Sequence, residues 1–439
     1  MPPLILAINA GSSSVKVTLY DSSTLTSTNT PKSIAQCTID GLTAPPATLK
    51  YHHHQSEKPI SREVEGVTTQ EDAFKAIMQQ LEQDEGLVEV GSKADYAYVC
   101  HRVVHGGEFA DAQVVDEETV QRIERLSDLA PLHNTPALTL IRTCTTLLPP
   151  KTRQIAFFDT TFHTTLPRAI TTYPINRTIA HTNALRKYGF HGLSYASILR
   201  LTSSHLNLSP AATNIIALHL GSGASACAIR GGKSVDTSMG LTPASGLPGA
   251  TRAGSVDPSL VFHYTHRAGR MSRSSARDMH VTYAEEVLNK ESGWAALAGT
   301  TDFGVISARA MADGGDGKGD EGARLAFDVF VDRILGFVGS YYVALGGRVD
   351  ALVFAGGIGE KGVELRRAVG RGVECLGFEI DEVRNADVGN AAVVDIGRRT
   401  EGEKRVLVVR TDEQGEMARG CLEYMEKEAK ETKETKEDV

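Results

Sequence analysis

Short apolar runs and small polar turns alternate along the chain in a pattern that predicts strands joined by tight hairpins. Residues 4–9 form an apolar run, small residues follow at 11–14, and a second apolar run occupies 15–20, which predicts a β-hairpin. The same pattern returns at 214–220 and 225–230, on either side of a glycine-containing turn. Two hairpins of one design predict a duplicated domain.

Longer segments with apolar residues at helical spacing lie between and after these hairpins. They predict helices over 69–82, 117–129, 135–146 and 321–346. An apolar strand at 351–355 runs into a third glycine turn at 356–360 and then a helical stretch, a succession that commonly holds phosphates and nucleotides. Strands mixed with helices predict an α/β architecture.

Two further segments are polar. The segment between Ser22 and Thr69 is interpreted as a long loop, and its histidine triplet at 52–54 as surface. Lys, Glu and Thr repeat over 427–439, which predicts a frayed tail. With 439 residues the chain exceeds what one core usually supports, so two domains with a cleft between them are expected.

Composition and charge narrow the function classes. The chain is 41% hydrophobic and 23% charged with 42 glycines, which is typical of a globular α/β enzyme. Its net charge of -8 gives no general attraction to nucleic acids or anionic membranes, and no apolar run is long enough for a membrane span. Six scattered cysteines without a CxxC pair and the lack of a secretory signal predict a cytosolic protein with reduced thiols. Because the net charge is negative, any anion that the protein binds must be held by charged or polar groups at its binding site.

The first hairpin carries groups suited to a phosphate. Asn9, Ser12, Ser14 and Lys16 place an amide, hydroxyls and an ammonium around an exposed tip. An ordinary polar turn has the same composition, so this motif alone does not decide between the two interpretations. The return of the pattern around Gly221 favours phosphate binding.

Two arginines stand in positions that suit an anionic ligand. Arg102 follows the apolar run at 96–100, and strand ends in open α/β sheets are where ligands bind. Arg252 lies in a loop rich in glycine and proline. The rigid, permanently charged fork of arginine fits a phosphoryl group, with a solvated surface position as the alternative. Alanine in place of either arginine is expected to lower turnover far more than stability.

Carboxylates and histidines complete the candidate chemistry. Asp159 and Glu413 lie at the ends of apolar runs, where their oxygens suit a divalent cation. A helix N-cap or a solvated turn is the alternative, and for Glu413 alone it is the preferred one. His133, His163 and His191 lie in predicted loops at spacings unlike those of a zinc site, so they are expected to donate hydrogen bonds to phosphate oxygens.

A series of motifs stands in a fixed order between about residue 4 and about residue 420: AINAGSSSVK, HRVVHGG, FDTTFH, RKYGFHG, HLGSGAS, GGKSVDTSMGLTP, TRAGSVDP, FAGGIGE and RTDE. Together they closely resemble the acetate kinase family, and an ordered set is far more specific than one glycine motif. The resemblance implies the duplicated two-domain actin-like fold of the sugar-kinase ATPases, with domains at 1–158 plus 414–439 and at 159–413 and a nucleotide cleft between them. It also implies a homodimer that converts ATP and acetate reversibly to ADP and acetyl phosphate with Mg2+ or Mn2+.

The resemblance implies roles for individual residues. Catalytic roles fall on Arg102, Asp159, His191, Arg252 and His133, and metal binding falls on Asn9, Asp159 and Glu413. Nucleotide binding falls on Ser12, Ser14, Lys16, His219, Gly221, Ser222, Gly223, Gly357, Ile358, Gly359 and Glu360. The acyl pocket falls on Arg102, Val104, Leu132, Phe190 and Pro243. One departure is Ser222, where the family usually has asparagine, so a hydroxyl replaces one amide contact to the nucleotide phosphates.

Three alternatives stay open. A kinase for propionate or butyrate differs only in the volume of the acyl pocket. A member of the family that uses pyrophosphate or phosphate is disfavoured by the glycine turn at 357–360. A nucleotide-switched binding protein of the same fold leaves both arginines and the acyl pocket without a purpose.

Overall fold

The chain divides into two units, each built around its own sheet. The computed structural model describes residues 4–22, 32–54, 58–87, 96–127, 131–265, 268–272, 275, 281–312, 319–398 and 404–437. Unit 1 comprises Met1–Thr161 and Asp412–Val439, and unit 2 comprises Phe162–Thr411. The sequence-based boundaries assign Asp159 and Glu413 to the second domain, whereas both residues lie in unit 1.

Strands and helices are mixed in both units, as the hydrophobic pattern predicts. The first segment of unit 1 contains β1 (Leu4–Ala10), β2 (Ser14–Asp21), β3 (Ser33–Asp40), β4 (Ala47–His53), β5 (Ile60–Val64), α1 (Gln70–Glu82), β6 (Tyr96–Val103), β7 (Gln113–Val114), α2 (Glu117–Ser127), α3 (Pro131–Leu147) and β8 (Arg153–Phe158). Unit 2 contains α4 (Arg168–Thr171), α5 (Arg177–Thr182), α6 (Gly192–His205), β9 (Ile215–Leu220), β10 (Ala224–Arg230), β11 (Lys233–Thr237), α7 (Leu260–Thr265), α8 (Tyr283–Lys290), α9 (Gly293–Ala298), α10 (Phe303–Met311), α11 (Glu321–Ala344), β12 (Ala351–Ala355), α12 (Gly356–Lys361), α13 (Val363–Val373), α14 (Glu382–Ala386), β13 (Val393–Asp395) and β14 (Arg405–Val409). The second segment of unit 1 contains α15 (Glu413–Glu437).

The two sheets share one topology. Among the described residues, unit 1 has an eight-stranded sheet in the order β5-β4-β3-β2-β1-β6-β8-β7, and unit 2 has a six-stranded sheet in the order β11-β10-β9-β12-β14-β13. In each sheet an antiparallel hairpin, β1–β2 or β9–β10, lies beside two parallel strands, β6 and β8 or β12 and β14. The order of unit 2 thus repeats in unit 1, with β4 and β5 added at one edge, which confirms the predicted duplication.

The predicted helices are present with small shifts at their ends. Thr69 is the N-cap of α1 rather than its first residue, because its hydroxyl accepts the amide of Asp72 at 3.1 Å. The expected end of the second helix at 128–129 lies outside the described residues. Residues 427–437 continue α15, so the expectation of a frayed tail was wrong for them. No helix in the described ranges is both long enough and apolar enough to span a membrane.

The segment between Ser22 and Thr69 contains β3, β4 and β5, so its interpretation as a loop was wrong. Alternate residues of β3 and β4 are buried, as in a strand with one face on the core. His53, expected at the surface, is 5% exposed, and its Nδ1 lies 3.5 Å from a carboxylate oxygen of Asp84. The neighbouring carboxylate explains how a polar side chain is tolerated there.

Helix α11 shows how the sequence fixes the packing in unit 2. Its apolar residues Phe327, Phe330, Ile334 and Val338 recur every three or four positions and are at most 2% exposed. The ring of Phe330 lies 5.2 Å from that of Trp294. Burying a large apolar side chain contributes roughly 1.5–3 kcal/mol, so this stripe holds α11 against the sheet.

Candidate active site

Four polar side chains meet at one edge of the unit 1 sheet: Asn9, Arg102, Asp159 and Glu413. Asn9 lies near the end of β1, Arg102 near the end of β6, and Asp159 directly after β8. These strands are parallel neighbours, so their carboxyl ends reach the same edge. Glu413, the first residue of α15, joins the cluster from the second segment of the unit.

The guanidinium of Arg102 is the centre of this cluster. Its Nε and Nη2 donate to the two carboxylate oxygens of Asp159 at 3.1 and 2.7 Å. Its Nη1 donates to Oε2 of Glu413 at 2.7 Å and to Oδ1 of Asn9 at 3.3 Å. Asn9 Nδ2 donates to the same oxygen of Glu413 at 2.8 Å. The bidentate pair with Asp159 fixes the plane of the guanidinium.

The charges of Arg102, Asp159 and Glu413 interact strongly because the cluster is largely buried. Asp159 is 0% exposed and the side chains of Arg102 and Glu413 are 16% and 15% exposed. Burial disfavours the charged guanidinium, but the carboxylates of Asp159 and Glu413 outweigh this and raise the pKa of Arg102 above its ordinary value. One cation and two carboxylates leave a net charge of about -1, which suits a bound cation.

Asp412, and not Glu413, caps the helix that supplies Glu413. Its Oδ1 accepts the amide of Gly415 at 2.8 Å, and its own carbonyl accepts the amide of Glu416 at 3.1 Å. The side chain of Glu413 is therefore directed to Arg102 and Asn9 instead of to its own helix, so the N-cap alternative falls on the neighbouring residue.

The tip of the β1–β2 hairpin carries Ser12, Ser14 and Lys16. Ser12 and Lys16 are exposed, Ser14 is half-buried, and Lys16 lies opposite Asn9 in the strand register. The side-chain amide of Gln70, at the start of α1, donates to the carbonyls of Gly11 and Ser12, each at 3.2 Å. Sequence reasoning missed this clamp, because nothing in the local pattern links a helix start to a turn about 60 residues away.

The segment after β6 is tied to the start of α3. The amide of His105 donates to Oδ1 of Asn134 at 2.9 Å, and Nδ2 of Asn134 donates back to the carbonyl of His105 at 2.9 Å. Val104 precedes this link and is half-buried. His133 is half-buried in α3, so its placement in a loop was wrong. The side chain of Leu132 lies outside the described part of the chain.

In unit 2, His191 stands at the start of α6 in an unusual backbone conformation. It is the N-cap residue, with φ 58° and ψ 28°, a left-handed backbone conformation that residues other than glycine rarely adopt. The preceding carbonyl, that of Phe190, lies 2.9 Å from Nε2 of His163, whose Nδ1 lies 2.8 Å from Ser234 Oγ. His163 is 1% exposed, so it supports the backbone before His191 and its expected role as a phosphate donor was wrong.

The side chain of His191 lies against β9 and β10. Its Nδ1 lies 2.8 Å from Oγ of Ser225, and that oxygen lies 2.5 Å from the hydroxyl of Tyr195. The imidazole of His219, which is opposite Ser225 in the strand register, has its ring centre 4.4 Å from that of His191. Ser225 and Tyr195 were missed from the sequence, although His191 and Tyr195 are four residues apart and thus share a helix face.

The turn between β9 and β10 brings Arg252 beside His191. A Cβ added to Gly223 would lie 3.1 Å from Nη1 of Arg252 and 3.7 Å from Nε2 of His191, so both side chains lie over this glycine. The carbonyl of the exposed Ser222 accepts the amide of Ala250 at 2.8 Å, which ties the loop of Arg252 to the turn. Gly221 precedes them at the end of β9.

The glycines at 356–360 form the start of α12 rather than a turn before a helix, so that expectation was wrong. Gly356 has φ 75°, and a Cβ there would lie 2.7 Å from the carbonyl oxygen of Leu220. Gly357 is exposed with open space around it, Ile358 and Glu360 are half-buried, and Gly359 is buried. Burial raises the pKa of Glu360.

A buried arginine, Arg366, donates hydrogen bonds to the backbone of the segment at 356–360. Arg366 is 0% exposed, and its Nη1 donates to the carbonyls of Gly359 and Glu360, each at 2.8 Å. Its Nε and Nη2 donate to Oδ1 and the carbonyl of Asn385 at 2.7 and 2.8 Å. Sequence reasoning missed Arg366, since it reads as one more charged residue of an amphipathic helix.

The predicted acyl-pocket residues belong to both units. Val104 and Leu132 lie in unit 1, and Phe190 and Pro243 lie in unit 2. Phe190 is 1% exposed and Pro243 is buried. The structure thus gathers Asn9, Arg102, Asp159 and Glu413 within unit 1, and His191, Arg252, His219 and Gly223 within unit 2.

Two buried histidines are expected to make the free energy of unfolding depend on pH. Burial lowers the pKa of His101 and of His163 from 6.5 to about 4. The unfolded state therefore binds more protons below pH 6.5, and stability falls as the pH drops from 7 towards 4. Each histidine is expected to cost about 2 kcal/mol between pH 7 and pH 5.

Urea unfolding at both pH values checks this, with His101→Asn expected to reduce the pH-dependent loss by about 2 kcal/mol. The matched control is His205→Asn, which replaces an exposed histidine and is expected to keep the wild-type pH dependence. A loss in His101→Asn as large as in the wild type would contradict the assignment.

Comparison with known proteins places these features in a family. The model of the Acetokinase family matches residues 4–419. A probable acetate kinase of Neurospora crassa is 51% identical over 446 aligned positions, which cover 96% of this chain and 94% of that protein.

Two solved structures are similar over nearly their whole length. A propionate kinase from Francisella tularensis has a TM-score of 0.80 at 32% identity, with 95% of this chain and 98% of that chain covered. An acetate kinase from Porphyromonas gingivalis has a TM-score of 0.77 at 31% identity with the same coverage. These matches confirm the predicted class, a duplicated two-domain α/β protein of the actin-like ATPase fold. The chain belongs to the Acetokinase family, which confirms the resemblance seen in its motifs.

Proposed function

We propose that this chain is an acetate kinase, which transfers a phosphoryl group reversibly between ATP and acetate and gives ADP and acetyl phosphate. The observation that carries the proposal is the buried cluster of Asn9, Arg102, Asp159 and Glu413 at the carboxyl edge of a sheet. Similarity to proteins named acetate kinase over more than nine tenths of the chain supports it.

The cationic and donor groups fit the charge of the reacting group. A phosphoryl group in transfer spreads negative charge over its oxygens, so positioned positive charge and N–H donors stabilise it. The proposal assigns this task to Arg102 in unit 1 and to Arg252 and His191 in unit 2, with His133 in a supporting role. Acetate is already ionised at neutral pH, so its attack needs no general base, and the site needs none.

The donor chemistry of the unit 1 cluster fits a divalent cation. The atoms of Asn9, Asp159 and Glu413 that can ligate a metal ion are all oxygens, which Mg2+ prefers, with Mn2+ as the alternative. When bound, the ion neutralises phosphate charge. Arg102 donates to both oxygens of Asp159, and a carboxylate oxygen can accept a hydrogen bond and bind a cation at the same time. The nucleotide is assigned to Ser12, Ser14, Lys16, His219, Gly221, Ser222, Gly223, Gly357, Ile358, Gly359 and Glu360.

One coupled assay tests the proposal. The purified chain is incubated with ATP, Mg2+ and acetate, and acetyl phosphate is trapped with hydroxylamine. Formation of the hydroxamate in step with ADP supports the kinase. Slow ADP release without hydroxamate would favour the nucleotide-switched binding protein, and activity with pyrophosphate in place of ATP would favour the pyrophosphate-dependent alternative.

The segment at 356–360 provides a test of the nucleotide assignment. Gly357→Gln is expected to raise the KM for ATP at least about tenfold, because the side chain would fill space that the adenosine needs. A Cβ at Gly357 meets no atom within 4 Å, so the fold should be kept. Gly336→Gln is the matched control, since that helical glycine is exposed and equally open. Equal KM values for the two variants would remove 357 from the nucleotide site.

Val104 tests the choice between acetate and propionate, an alternative that the similar propionate kinase keeps open. Val104→Ala removes two methyl groups, and a buried methylene contributes about 0.8 kcal/mol, so the kcat/KM ratio of propionate to acetate should rise by roughly a factor of a few. A core role would instead lower stability by about 1–2 kcal/mol and leave the ratio unchanged. Measuring both substrates and the urea midpoint separates the two.

The proposal also includes a homodimer, which rests on the family resemblance, and a cytosolic location, which rests on the six scattered cysteines. Static light scattering of the purified chain checks the first, with twice the mass of one chain expected. Cell fractionation checks the second.

A further inference from the structure

Two side chains, Ser225 and Tyr195, continue a row of hydrogen bonds that begins at Nδ1 of His191. Tyr195 lies one helical turn after His191, so both face β10 from the same side of α6. Between them stands Ser225, whose Oγ lies 2.8 Å from Nδ1 of His191 and 2.5 Å from the Tyr195 hydroxyl. Tyr195 and Ser225 are both 0% exposed, so water does not compete for these contacts.

The burial of Tyr195 decides which atom donates at each step. Burial raises the pKa of its hydroxyl well above the ordinary value, so the proton is present. Within the described part of the chain, Ser225 Oγ is the hydrogen-bond partner of that hydroxyl. If Ser225 donated to Tyr195, the tyrosyl proton would be buried without an acceptor, which is unfavourable. Tyr195 therefore donates to Ser225. Among the described residues Nδ1 of His191 is the other hydrogen-bond partner of Ser225 Oγ, so the serine proton is assigned to that contact.

We infer that Ser225, held by Tyr195, is a positioning residue that keeps His191 in the tautomer with its proton on Nε2. A hydroxyl that donates to Nδ1 requires a lone pair on that nitrogen, so the ring proton must be on the other one. Nε2 lies over Gly223 together with Nη1 of Arg252. The hydrogen bonds from Tyr195 to Ser225 and from Ser225 to His191 thus keep an N–H donor over Gly223, together with the guanidinium of Arg252. The proposed function assigns both His191 and Arg252 to the phosphoryl group.

This inference rests on the proposed function only for its purpose and not for its geometry. A merely structural Ser225 would not select a tautomer, so the tautomer is the property to measure. Nitrogen-15 NMR distinguishes the two neutral tautomers and the imidazolium by the shifts of the two ring nitrogens. The full chain labelled with ¹⁵N-histidine is recorded at neutral pH, and the signals missing from His191→Gln assign His191.

The wild type is expected to show the Nε2–H tautomer alone, and Ser225→Ala is expected to show a mixture. Tyr195→Phe removes only the outer hydroxyl and should give an intermediate result, which keeps the test available if Ser225→Ala folds poorly. A wild-type signal from the Nδ1–H tautomer or from the imidazolium would overturn the inference, as would a Ser225→Ala spectrum identical to that of the wild type.

Steady-state kinetics provide a second test of the inference. Ser225→Ala is expected to lower kcat about tenfold or more, with KM values within about twofold, because a misplaced donor weakens transition-state binding. The matched control is Ser203→Ala, another buried serine, which bonds the carbonyl of Leu199 and Thr213 away from His191. It is expected to lose stability without loss of kcat. If the wild type forms no acetyl phosphate, the proposed function fails. The NMR experiment still shows whether Ser225 sets the tautomer of His191.

Discussion

Replacing Arg252 by alanine is expected to lower kcat at least about a hundredfold while the free energy of unfolding changes by less than about 1 kcal/mol. The guanidinium is half-buried in a loop and lies over Gly223 beside His191. Its charge is therefore placed where the proposal needs positive charge in the transition state, and no apolar core depends on it.

The measurement is a pair of experiments on one preparation: steady-state kinetics of acetyl phosphate formation and urea unfolding. Arg333→Ala is the matched control, since Arg333 is an arginine of unit 2 whose side chain is 54% exposed on α11. It should keep wild-type turnover. A kcat for Arg252→Ala within about threefold of wild type would end its proposed role.

Arg102 is expected to behave differently, although the sequence suggests the same outcome for both arginines. Arg102→Ala would leave the fully buried carboxylate of Asp159 without its bidentate partner. Removing one member of a buried ion pair typically costs about 3–5 kcal/mol, so this variant should lose stability as well as turnover. Arg102→Lys keeps the positive charge but not the bidentate geometry. It should unfold less than Arg102→Ala, so a change in its kcat is easier to assign to catalysis.

Much of the fold could be predicted because its signals are local. The hairpins β1–β2 and β9–β10 are visible as apolar runs around small residues, and the stripe of α11 is visible as a helical period. The strands of the segment between Ser22 and Thr69 were missed, although small apolar residues such as Ala35 and Cys37 alternate with polar ones in β3. Period-two alternation of small residues is a weaker signal than an apolar run, and the histidine at 53 obscured it in β4.

The unit 1 cluster could be anticipated for a topological reason. Asn9, Arg102 and Asp159 each stand near a strand end, and parallel neighbouring strands bring their carboxyl ends together without any further information. The supports of the site could not be anticipated in this way. Gln70 reaches back to the first hairpin and Ser225 reaches across to α6, and such contacts depend on register and helix placement rather than on spacing.

Arg366 is the strongest case of a residue whose importance only the structure reveals. Its guanidinium is fully buried, and each of its hydrogen bonds goes to a carbonyl or an amide oxygen of Gly359, Glu360 or Asn385. Burial lowers the pKa of Arg366 to about 10, so the group is still charged at neutral pH. A charge held by neutral acceptors persists because it satisfies several buried oxygens at once.

Arg366→Met is therefore expected to lower the free energy of unfolding by about 3 kcal/mol or more, because each buried oxygen left without a donor costs about 1–3 kcal/mol while the relief of charge burial offsets only part. The matched control is the next residue: Arg367 is 26% exposed and pairs with Glu364 and Glu382, and such pairs contribute at most about 1 kcal/mol, so Arg367→Met should be nearly neutral. Because Arg366 holds the carbonyls of Gly359 and Glu360, the KM for ATP should rise in Arg366→Met and not in Arg367→Met. Equal urea midpoints for the two variants would show that the buried guanidinium does not anchor the segment.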